Sequence, residues 1–249
     1  MSDVGKARGG AGETPDLDAA TPRPQGLKHL TVAQEATALV LAATMLAVVN
    51  YHGSLGLPPS DPRQLFAWFG VNVVCLFVVP AVLVTVFWKR SLAEFGLSLG
   101  SWRWWMKPAL VFLAVMVPVI VVASRWPSFQ SYYPRYGWAR HDVRAFVLSE
   151  AGWLAYFLAW EFFYRGFLLF ALAPRLGALA IFVQMLPFVM AHFPKPEAEA
   201  LSAIIAGVAL GAMSYYGRSC VGTWLLHWTV AALMDAMVVI WPVHPPVMH

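Results

Sequence analysis

Four side chains with chemistry stand out from an otherwise apolar sequence. In "WEFFYRGFLLF", residues 160–170, Glu161 and Arg165 lie four positions apart among aromatic and aliphatic neighbours. On a helix that spacing puts both on one face, with the acid on the N-terminal side, the favourable order for such a pair. "FVMAHFPKP" places His192 where a helix ends, because Pro194 disfavours helical geometry at Phe193. "TWLLHWTVAALMD" places His227 between Leu226 and Trp228, with Thr223 one turn earlier and Asp235 two turns later. An imidazole in such surroundings is poorly satisfied without a partner. One carboxylate and two imidazoles from three separate segments suit hydrolysis: a carboxylate and an imidazole activate water, and a second imidazole stabilises the developing oxyanion. The plainer alternative is structural, with Glu161 and Arg165 neutralising each other and His192 serving as an interfacial residue at a helix end.

What must position these groups follows from composition. The chain has 249 residues, 59% hydrophobic and 12% charged, about half the charge of an average soluble domain, and a mean hydropathy of +0.62. It reads as an all-α, polytopic transmembrane bundle of about seven to eight helices. The formal net charge of +4 is explained by basic residues beside apolar spans, which report topology and anionic headgroups, so nucleic acid is not an expected partner. Cys75 and Cys220 both lie in or next to apolar segments, which supports neither a disulfide framework nor a Cys-rich metal site.

Residues 1–30 mix Gly, Ala, Pro and both charge signs without apolar periodicity and are expected to be a disordered cytoplasmic tail. Residues 31–249 form the transmembrane domain, with spans expected at about 32–50, 66–88, 105–123, 146–172, 177–192, 200–216 and 220–241. Lys6, Arg8, Arg23 and Lys28 precede the first span, which places the N-terminus inside. The segment 124–145, with Arg125, Arg135, Arg140 and Arg144, breaks that charge pattern: it is either an interfacial element rich in Trp and Tyr or a sign of a missed span. Gly207 and Gly211 have the small-x-x-x-small spacing of closely packed helices. Glu150 lies about 16 Å from Glu161 by helical rise, too far to share a water, and is expected at the membrane surface.

Three segments, in order, resemble the motifs of the CPBP (CaaX protease and bacteriocin-processing, or Abi) intramembrane glutamic endopeptidases, E-E-x-x-x-R, F-x-x-x-H and H-x-x-x-N. They are "WEFFYR" at 160–165, "FVMAH" at 188–192 and "HWTVA" at 227–231, and Gly166 with the "RGFLL" continuation is also similar. The resemblance covers about residues 145–240. It implies an intramembrane endopeptidase that hydrolyses a peptide bond in a membrane-anchored protein or peptide, with Glu161, helped by His192, activating water, His227 stabilising the tetrahedral intermediate, and Arg165 orienting and charge-balancing Glu161. Two positions depart from the pattern. Trp160 stands where the family has its water-activating first glutamate, and Ala231 stands where it has an asparagine that helps hold the oxyanion. Neighbouring helical positions differ by about 100°, so Glu161 cannot simply stand in for a residue at 160. Asp235 is a candidate substitute for the missing Asn, and Glu199 a supporting acid near His192.

Prenyl-protein maturation, bacteriocin or peptide processing and the cutting of C-terminal sorting anchors all fit this chemistry. The expected setting is a bacterial inner membrane. No cofactor is expected; a Glu161, His192 and His227 zinc site has a known ligand set but no HExxH helix behind it. The competing class is a catalytically inactive, protease-like scaffold or immunity protein, motivated by Trp160 and Ala231. A transporter would call for repeats or paired broken helices, which the sequence does not display.

Overall fold

A computed structural model describes residues 28–58, 61 and 63–242. Most of the expected tail and the last seven residues therefore lie outside the described residues. Among those described, the fold is all-helical. Six helices are long and apolar enough to cross a membrane: α1 (Val32–His52), α2 (Gln64–Phe87), α3 (Trp102–Ala123), α5 (Val143–Leu176), α7 (Glu197–Gly217) and α8 (Val221–Ile240). Two shorter ones are α4 (Pro127–Tyr132) and α6 (Leu179–Met190). The chain is an integral membrane protein.

Local chemistry sets several helix ends. Thr31 starts α1 with a reciprocal capping box to Gln34. Ser91 and Glu94 form a second box on the short turn Leu92–Phe95, which ends at Gly96 with φ +81°. A side chain at 96 would be strained there and would also strike the Phe170 ring. The Gly96 carbonyl accepts from the Cys220 backbone N–H at 2.9 Å, which ties this connection to the start of α8. On the same turn, the hydrogen bond from Arg90 holds the Glu94 carboxyl below its ordinary range.

The central element is α5. Of its most apolar 18-residue window 83% is buried, against 11% for α3, so α5 is walled off by protein while α3 keeps most of its surface for lipid. It packs on α2, α6 and α8, with α1 alongside, and α8 in turn packs on α3. Trp224 Nε1 donates to the Leu154 carbonyl at 2.8 Å and Trp228 Nε1 to that of Glu150 at 3.2 Å, which fixes the antiparallel register of α5 and α8. The expected span at 146–172 is thus longer at both ends, and the expected span at 177–192 is a 12-residue helix, short of the length that crosses the hydrocarbon core. The troublesome 124–145 segment holds α4 and a single turn at Gly137–Arg140 rather than another span.

Two close approaches matter for the site. A Cβ at Gly166 would sit 2.6 Å from the Phe95 carbonyl oxygen, so only glycine lets α5 meet the Leu92–Phe95 turn. Gly207 and Gly211 let α6 press on α7, where Gln184 Nε2 donates to the Gly207 carbonyl at 3.0 Å, in keeping with a packing role.

Candidate active site

Glu161 is completely buried on α5, just before a wide π-helical stretch at Phe162–Leu168. Its Oε1 is the meeting point of the site. Arg165 Nη1 donates to it at 3.2 Å from one turn on, and His227 Nδ1 lies 2.6 Å away on α8. Beside an arginine the carboxylate acts as acceptor only, so His227 donates from Nδ1 and keeps its lone pair on Nε2. Thr223, one turn before His227, lies against the same carboxylate. Arg165 is fully buried too, and its guanidinium carbon sits 3.8 Å from the centre of the Phe188 ring, a cation–π contact where two of its nitrogens find no acceptor among the described residues.

His192 closes the end of α6. Its Nδ1 lies 2.8 Å from the Phe188 carbonyl oxygen, an acceptor, so this imidazole also donates from Nδ1 and leaves Nε2 free. The rings of His192 and His227 are nearly parallel, 16° apart, with centroids separated by 6.5 Å. Phe188 joins them: it carries the Arg165 contact on its face, binds His192 through its carbonyl and touches both imidazoles. The F-x-x-x-H motif names Phe188, yet only the packing reveals this bridging position.

A cavity of about 870 Å³ opens beside this cluster. His227, Trp160 and Ala231 line it, whereas Glu161, Arg165 and His192 lie behind its wall. Positions 160 and 161 therefore divide as the 100° rule requires: the indole of Trp160 faces the cavity, edge-on to His192 at 5.7 Å, and the carboxylate of Glu161 turns inward. Among the described residues no three of His, Cys, Asp or Glu gather closely enough to hold a metal ion.

The supporting acids sit elsewhere on the cavity wall. Glu199 accepts from Lys195 Nζ at 2.7 Å and from the Tyr133 hydroxyl at 2.6 Å, tying the start of α7 to the residue after α4. Burial, helped by the Glu199 charge, pushes the Tyr133 hydroxyl well above its ordinary value, so it stays a donor. The structure does not bring Glu199 to His192. Nor does it bring Asp235 to His227: Asp235 faces Glu150 across the α5–α8 contact. Glu150, expected at the membrane surface, is only 8% exposed. Its burial was missed because the spacing from Glu161 along α5 says nothing of what α8 lays against it.

With this geometry in hand, comparison with known proteins gives one match. Residues 142–233 match the family described as type II CAAX prenyl endopeptidase Rce1-like. No curated protein and no solved structure matches the chain. The matched stretch runs from the start of α5 to the middle of α8 and contains Glu161, Arg165, His192, Glu199 and His227.

Proposed function

We propose, from the match of residues 142–233 to the Rce1-like family, that the chain is an intramembrane endopeptidase acting on a membrane-anchored protein or peptide, with His227 as its general base. The observation that carries this reading is the 2.6 Å contact between His227 Nδ1 and Glu161, with His227 itself on the cavity wall. Glu161 holds the tautomer and the ring, and Arg165 holds Glu161. Nε2 of His227 then takes a proton from a water in the cavity as its oxygen attacks the peptide carbonyl carbon. His192, behind the wall with its ring parallel to that of His227 and its Nδ1 bound to the Phe188 carbonyl, braces that side of the site through Phe188. Collapse of the tetrahedral intermediate returns the proton from His227 to the leaving amine. The motif pattern would give the water to Glu161 helped by His192, and the oxyanion to His227; the inward turn of Glu161 and the place of His227 on the wall support the different roles proposed here.

A second reading has a specific observation behind it. Trp160 occupies the cavity-facing position where the family carries its first glutamate, and Ala231 brings no polar group to the wall, which favours a protease-like scaffold. The two part in one experiment. Terminal peptides are compared in membranes of a bacterial host, the setting proposed here with the N-terminus cytoplasmic, from cells lacking the protein and re-supplied with the natural form or His227→Ala at equal expression. New termini that require His227 support the peptidase. Identical termini with both forms, alongside retained biological function, support the scaffold.

A further inference from the structure

Two buried carboxyls take no part in the reaction above. Glu150 on α5 and Asp235 on α8 are 8% and 3% exposed and lie near enough for each charge to act on the other. Neither oxygen of Glu150, nor Oδ1 of Asp235, accepts a hydrogen bond from any described residue. The cations whose charge reaches Asp235 are Arg140 and Lys195, and both are committed elsewhere. Arg140 donates to the carbonyls of Gln130 and Tyr133, and Lys195 to Glu199. Asp235 lies on the wall of the same cavity as His227, and Glu150 stands behind that wall.

Two bare carboxylates so close repel, so the pair needs either one shared proton or one shared cation. Polar groups so placed in a membrane protein are costly and concentrate where a ligand meets them. The cavity supplies the ligand's route. Asp235 follows His227 by eight residues on α8, about 12 Å along the axis, which an extended peptide spans in about three or four residues. Resting on the peptidase reading, we propose that Glu150 and Asp235 form a subsite for the ammonium or guanidinium of a basic substrate side chain, placed three or four residues from the cleaved bond. The empty pair holds one proton; the arriving cation displaces it to water and forms charge-assisted hydrogen bonds to both carboxylates.

The test is binding, which needs no turnover. Full-length protein in lipid nanodiscs is titrated with a capped pentapeptide bearing a central lysine and with its norleucine counterpart, following tryptophan fluorescence, since Trp153 and Trp160 line the cavity. The lysine peptide is expected to bind about tenfold more tightly, a preference erased in Glu150→Gln with Asp235→Asn while norleucine affinity holds. Asp235→Asn alone, nearly isosteric, keeps the question answerable where the double variant fails to fold. Equal affinity for the two peptides, or a lysine preference that survives the substitutions, overturns the subsite. Selective binding without any His227-dependent cleavage keeps the subsite and discards the peptidase; cleavage blind to lysine does the reverse.

Discussion

Two groups of buried carboxyls sit on the same pair of helices and are balanced in opposite ways. Glu161 has an arginine one turn away and an imidazole at 2.6 Å, both on Oε1, so its charge is compensated within the protein although Oε2 has no hydrogen-bond partner among the described residues. Glu150 and Asp235, about 12–16 Å along α5 and α8, have no ion pair of their own: Arg140 and Lys195 act on Asp235 only from a distance. A compensated carboxylate behind the wall can orient a base but cannot itself receive a substrate cation. An uncompensated pair with Asp235 at the wall and Glu150 behind it contributes little to folding and keeps its capacity for a ligand. The difference teaches that burial alone does not mark function: what matters is whether the partner is already in the protein.

Three variants sharpen or break this contrast. His227→Ala removes the one group of the Glu161 cluster that reaches the cavity, and cleavage should fall by about two to four orders of magnitude with the fold intact. Cleavage rates together with unfolding in detergent decide this; full activity would return the base role to another residue. Arg165→Met leaves Glu161 buried without its cation and should lower stability by about 3–5 kcal/mol. For the other group the sign should reverse. Glu150→Met with Asp235→Leu replaces two unpartnered carboxyls by apolar side chains of similar size, and stability should rise by about 1–4 kcal/mol, the range seen when buried ionic groups are exchanged for well-packed apolar ones. A loss of stability in the double variant would mean that Glu150 and Asp235 hold the α5–α8 contact, and the contrast with Glu161 would collapse.

Much of this arrangement was legible in the sequence. Hydropathy located the six long apolar helices, because lipid demands long apolar runs whatever they pack against. The Glu161–Arg165 pair was legible because i,i+4 spacing is local. That Glu161 and residue 160 take different faces followed from helical rotation, but which of the two turns inward did not. What the sequence left open depends on contacts between distant segments. The pairing of Asp235 with Glu150 requires the register of α8 on α5, which Trp224 and Trp228 set through bonds to main-chain carbonyls. The reach of Arg165 to Phe188 requires α6 to lie against α5. The end of α6 near His192 was legible from Pro194, whereas its start at Leu179 was not, because nothing in the apolar run 178–183 marks it.

The smallest expected effect tests the rim of the cavity between these two groups. Tyr133 donates to Glu199 at 2.6 Å, and Lys195 holds the other carboxylate oxygen at 2.7 Å. Tyr133→Phe deletes one neutral donor and leaves the ion pair, so stability should fall by only about 1 kcal/mol. Both Tyr133 and Glu199 line the cavity, one following α4 and the other beginning α7, so the bond spans two elements that do not otherwise share a motif. If it does no more than brace the rim, Tyr133→Phe should leave the lysine-over-norleucine preference unchanged, because Glu150 and Asp235 keep their own places. Loss of that preference in Tyr133→Phe would mean that the rim and the acid pair act as one unit, and the boundary between compensated and uncompensated carboxyls would have to be redrawn to include Glu199.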